Sequence, residues 1–82
     1  MAVKSFFKIM IEEKDLLDEV IPIEHNGTQH IIEVAYLLEL IESASKEDQE
    51  QIKTDFSLID FRNGSLLHYL KYLASAYIST NF

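Results

Sequence analysis

The chain has 82 residues and a formal charge of −7, from 14 acidic and 7 basic side chains. Hydrophobic residues make up 48% and charged residues 26%, an ordinary globular composition rather than a disordered one. The absence of cysteine excludes disulfides, thiolate zinc sites and thiol nucleophiles, and the negative balance argues against direct nucleic-acid binding, which needs a basic face.

One domain, residues 1–82, suits this length. A domain this small buries only about 60–65% of its unfolded surface. Its packing must come from aliphatic side chains and 9 aromatics, or from a partner. The charge is uneven. All 14 acids fall between Glu12 and Asp60 against three lysines there, a net −11, while each flank carries +2. A solvated acidic surface is the plain reading of that stretch; a field that steers a basic partner is the alternative.

The first segment reads as a helix over about 3–19, with Phe6, Phe7, Met10, Ile11, Leu17 and Val20 on one face. Its charges oppose the helix dipole, with lysines early and acids late. A strand over 3–11 is the second reading, since Val3, Ser5, Phe7, Ile9 and Ile11 alternate. Pro22 and Gly27 then punctuate the chain. Asn26-Gly27 is a strong two-residue hairpin signal, so a hairpin near 20–34 is one reading of that region. The preferred reading is a second helix over 28–44, capped by Thr28. Its stripe is Ile31, Val34, Ala35, Leu38 and Ile41, widened by Ile32, Leu37 and Leu40.

Ser45 opens a third helix over 46–58, where Ser45-Lys46-Glu47-Asp48 resembles a capping box. Ile52, Phe56 and Ile59 give it a thin apolar stripe, so it is expected at the periphery. Asn63-Gly64-Ser65 repeats the turn-and-cap pattern and opens a fourth helix over 65–79. Leu66, Leu67, Leu70, Leu73, Ala74, Tyr77 and Ile78 recur at helical spacing, and Tyr69, Tyr72 and Ala76 extend the apolar surface. A helix this apolar is central to its domain or covered by another chain. The expected fold is therefore all-α: a small four-helix bundle with the second and fourth helices as its core pair. A short extended N-terminal segment or a hairpin near 20–34 is its variant.

Candidates for chemistry are few. His25 and His30, near Glu24 and Glu33, could serve a metal-responsive domain, but a spacing of five does not put both on one helix face. Carboxylate pairs abound without a pattern that implies burial, and burial is what raises a carboxylate into a useful range. No glycine-rich phosphate loop exists. The two Asn-Gly-Thr/Ser triplets match glycosylation sequons but are explained as caps. Neither an enzymatic activity nor a cofactor is expected. No signal-like or membrane-length apolar run is visible, since His68, Lys71 and Ser75 interrupt the longest. A cytoplasmic protein that binds neither membrane nor nucleic acid is the expectation.

The surface with most content is hydrophobic. Tyr69, Tyr72, Leu73, Ala76 and Tyr77 form a candidate partner-binding face, because tyrosine buries a ring while keeping a polar handle. Glu12, Glu13, Asp15, Asp18 and Glu19 form a candidate acidic one. The expected function is a non-enzymatic protein-interaction module, homodimeric through the last helix. The alternative is an acidic inhibitor, of phage or immunity type and possibly a nucleic-acid mimic, that docks onto a basic protein.

Overall fold

The computed structural model describes residues 5–59 and 65–81. They form α1 (Phe6–Glu13), β1 (Val20–His25), β2 (Thr28–Glu33), α2 (Val34–Glu42), α3 (Lys46–Ile59) and α4 (Ser65–Asn81). This is an α+β arrangement of four helices and an antiparallel hairpin, and it overturns the all-α four-helix bundle.

The hairpin forms where a long second helix was expected to start. Asn26 and Gly27 both have positive φ, 52° and 78°, as a two-residue hairpin turn of the primed type requires. Thr28 is therefore a strand residue paired with His25, and no helix cap. The isoleucines misled because Ile31, Ile32 and Val34 suit a strand as well as a helix stripe. In the strand, Ile32 is buried opposite Ile21, while Ile31 is 69% exposed on the other face. The Val34 N–H donates to the Glu19 carbonyl at 3.0 Å and extends the ladder by one pair. Alternation from that pair puts Pro22 at a position that donates nothing to β2, so its missing N–H costs the ladder nothing. The helix proper starts only at Val34, with Glu33 as an N-cap that makes no side-chain cap bond.

The first helix is also shorter than its apolar pattern. Ser5 caps it, accepting the Lys8 N–H at 3.1 Å, and also bonds the Glu42 carboxylate at the far end of α2. It stops at Glu13 rather than continuing to residue 19. Asp15 adopts φ 55°; its N–H reaches the Glu12 carbonyl at 3.0 Å, and the Leu16 N–H reaches the Ile11 carbonyl at 3.0 Å. That pair of bonds is a Schellman closure with aspartate in the place glycine usually takes. Ending the helix early leaves Asp15, Asp18 and Glu19 outside it, but Lys8 near its start and Glu12 and Glu13 at its end still oppose the dipole. The strand reading of 3–11 fails from Phe6 onward.

Ser45 caps α3 through the Asp48 N–H at 3.2 Å, with Glu47 and Asp48 in its first turn. This helix is less peripheral than its thin stripe suggests, because Phe56 is fully buried. The turn at Asn63-Gly64 and the Ser65 cap lie outside the described residues and side chains.

Every element contributes to one core: Phe7, Met10 and Ile11 from α1, Ile21 and Ile32 from the hairpin, Leu37, Leu38 and Ile41 from α2, and Phe56 from α3. Helix α4 adds Leu66, Leu70, Ala74 and Ile78, one residue per turn. The core is therefore shared with the hairpin and α1 and is not an α2–α4 pair alone. Rings interlock at its centre, with Phe7 and Phe56 edge-to-face at 5.3 Å. Among the described residues no polar or charged side chain is buried, and no buried side-chain polar atom lacks a partner. No helix among the described residues is long and apolar enough to cross a membrane.

Candidate functional site: an apolar groove between three helices

The side of α4 that does not enter the core lines a groove of about 470 Å³, closed on its flanks by α2 and α3. Helix α4 presents Tyr69, Tyr72, Leu73, Ala76, Tyr77 and Thr80 to it. Those positions recur at steps of three and four, so they form one stripe about 17 Å long. Leu37, Leu40 and Ile41 come from α2, with Ala44 just beyond its end, and Ile52 comes from α3. All five residues singled out on the last helix therefore converge on one concave surface.

Three sets of side-chain bonds fix the helices around the groove. The Tyr69 hydroxyl donates to the Asp55 carboxylate at 2.7 Å and joins α4 to α3. The Tyr36 and Tyr77 hydroxyls lie 3.1 Å apart, with their rings edge-to-face at 6.2 Å, and join α2 to α4. The Gln49 amide donates to the Glu42 and Ala44 carbonyls at 3.2 and 2.9 Å, bracing the α2–α3 connection. An aromatic path also runs outward from the core: Phe56 meets Tyr69 edge-to-face at 5.8 Å, and Tyr69 stacks on Tyr72 at 6.1 Å. Its outer end, Tyr72, is 66% exposed. The groove is thus braced by its own polar tips while its apolar surface stays open.

The electrostatics follow from the same residues. Burial, and then the bond to Asp55, pushes the Tyr69 phenol above its ordinary range. The bond to Tyr77 raises that of Tyr36. Both hydroxyls are therefore neutral donors or acceptors at ordinary pH. Every charged side chain that lines the groove is acidic, namely Asp48 and Asp55; Gln51, Thr80 and Asn81 are neutral.

The acidic candidates lie elsewhere. Glu12 and Glu13 end α1, and Asp15, Asp18 and Glu19 sit in the connection to β1. None of the five lines the groove. Glu12 is half-buried and the other four are exposed.

His25 and His30 share the inner face of the hairpin, but on diagonal positions, with His25 opposite Thr28 and His30 opposite Ile23. His25 bonds its neighbour Asn26 at 3.2 Å. Among the described residues no group of three histidine, aspartate or glutamate side chains could hold a metal ion.

Sequence reasoning missed Tyr36 and Asp55. Each acts through a partner far along the chain, Tyr77 and Tyr69, and no local pattern marks such a pairing. No family model, no characterised protein and no solved structure matches the chain at a significant level.

Proposed function

We propose that the protein is a non-enzymatic interaction module that receives a segment of a partner protein in the α2–α3–α4 groove. One observation carries this reading: an apolar stripe three turns long is left open while two tyrosines along it, Tyr69 and Tyr77, are held in place by bonds to the two flanking helices. A surface of that kind binds without having to order itself first, which removes part of the cost of association. In the groove lining the Tyr69 hydroxyl meets the Asp55 carboxylate, but that phenol is held protonated rather than activated, and this favours binding over catalysis. The same reading sets the protein in the cytoplasm, where a chain without cysteine loses nothing to reducing conditions. Nucleic acid and membrane have no direct part in it.

Ala76→Arg tests the proposal, because Ala76 is exposed and a long charged side chain there obstructs the groove without entering the core. A partner retained by the wild-type protein should be lost from Ala76→Arg and kept by Glu13→Lys. Equal retention by all three proteins would sink the groove as the binding surface. A homodimer through α4 is the second reading, favoured by the exposed ring of Tyr72. Light scattering of the wild type decides it, since a monomer at high concentration removes self-association.

A further inference from the structure

We infer that the occupant of the groove is a basic amphipathic helix of another protein. This rests on the groove being a docking surface and adds the chemistry of what docks. Three observations point to it.

The first is shape. The stripe from Tyr69 to Thr80 runs about 17 Å, which matches three turns of a helix laid along it. Helix-in-groove recognition places apolar anchors at i, i+3 or i+4, and i+7 against such a surface. Exposed apolar carbon on Tyr72, Leu73 and Ala76 supplies the contact area.

The second is charge. The groove carries Asp48 and Asp55 on its α3 side and no lysine or arginine in its lining. An apolar helix flanked by lysine or arginine meets attraction on that side, first of all from the exposed Asp48; an acidic one meets repulsion.

The third concerns a second copy of this chain. Helices α1, α2 and α3 carry more acidic than basic residues, with α3 holding Lys46 and Lys53 against Glu47, Asp48, Glu50 and Asp55. Helix α4 has the single cation Lys71 among its charged residues and is itself a wall of the groove. No described helix of the chain therefore combines a free apolar stripe with a basic border. Two copies meeting groove to groove would bring together two linings that each carry Asp48 and Asp55 and no lysine or arginine.

The test uses two labelled synthetic helical peptides of about 14 residues, with leucines at the anchor spacing. One is flanked by lysines and the other by glutamates. Fluorescence anisotropy against the full chain should show the lysine peptide binding at least tenfold more tightly, with affinity falling as salt rises. Asp48→Lys should weaken the lysine peptide about fivefold, because it reverses an exposed border charge. Ala76→Arg should abolish its binding, and Tyr72→Ala should weaken it several-fold; unchanged circular dichroism confirms that both variants fold. Equal binding of the two peptides, with Ala76→Arg abolishing both, would keep the groove and overturn the basic occupant. Self-association of the wild type, blocked by Ala76→Arg and with neither peptide bound, would overturn it in favour of a second copy. Binding of neither peptide to a monomeric wild type would overturn the groove as a docking surface, and this inference with it.

Discussion

Along α4, one stripe is closed and the neighbouring stripe is open. Leu66, Leu70, Ala74 and Ile78 are fully buried, whereas Tyr69, Tyr72, Leu73, Ala76 and Tyr77 line a groove. The closed stripe is aliphatic and joins a core shared with the hairpin, α2 and α3, the elements that α4 meets. The open stripe is rich in tyrosine, and two of its hydroxyls are tied to flanking helices. The contrast separates two duties of one helix. Aliphatic burial stabilises the fold, and ring edges with polar tips shape a surface without sealing it.

Substitutions on the two stripes should therefore differ most in stability. Leu70→Ala removes a fully buried side chain and should cost about 2–5 kcal/mol in chemical denaturation. A loss below about 1 kcal/mol would mean that the core around α4 is looser than the packing described here.

The two alanines give a sharper comparison, because the same change has opposite surroundings. Ala74 is buried, so Ala74→Leu should overpack the core and cost about 1–3 kcal/mol. Ala76 is exposed at the groove, so Ala76→Leu should stay within about 0.5 kcal/mol of the wild type. Equal costs in thermal or denaturant unfolding would erase the distinction between the stripes.

Tyr69 stands between the two. Tyr69→Phe removes the bond to Asp55 and should cost about 1 kcal/mol, less than a deeply buried charged hydrogen bond because the site is partly exposed. The pH dependence has a definite sign. The folded-state phenol is raised above its unfolded value of about 10. Its stabilising contribution is therefore complete below pH about 10 and is lost as pH rises through the higher folded-state value. Stability measured between neutral and strongly alkaline pH should fall more for the wild type than for Tyr69→Phe. Parallel curves would mean that the Tyr69 phenol is not shifted by its burial and its bond to Asp55. The smallest effect is expected for Tyr72→Ala, which should change stability by less than about 0.5 kcal/mol while weakening partner binding.

The legibility of these features in the sequence follows their range. Helix α4 and both of its stripes are visible from spacing alone, because each repeats at helical period over several turns. The five candidate residues come together for that reason. Asn26-Gly27 signals the hairpin, but Ile31, Ile32 and Val34 satisfy both periods, so spacing alone favours a helix over 28–44 that the structure does not form. Only pairing with Ile21 and Pro22 settles which isoleucine turns inward, and that is a relation between segments. The early end of α1 depends on Asp15 entering a left-handed conformation that aspartate tolerates without announcing. Tyr36 and Asp55 were invisible because the contacts that give them meaning span 41 and 14 positions. The uneven charge was readable as a total, yet the acids of 12–19 proved separate from Asp48 and Asp55 at the groove.

The central claim is that a protein segment binds along the open stripe. Chemical-shift mapping of the isotope-labelled chain with the lysine-flanked peptide tests it most directly. The largest amide changes should fall at Leu40, Ile52, Tyr72, Leu73 and Ala76, which line one surface. Changes centred instead on Glu12, Glu13, Asp15, Asp18 and Glu19, or on the exposed face of the hairpin, would contradict it.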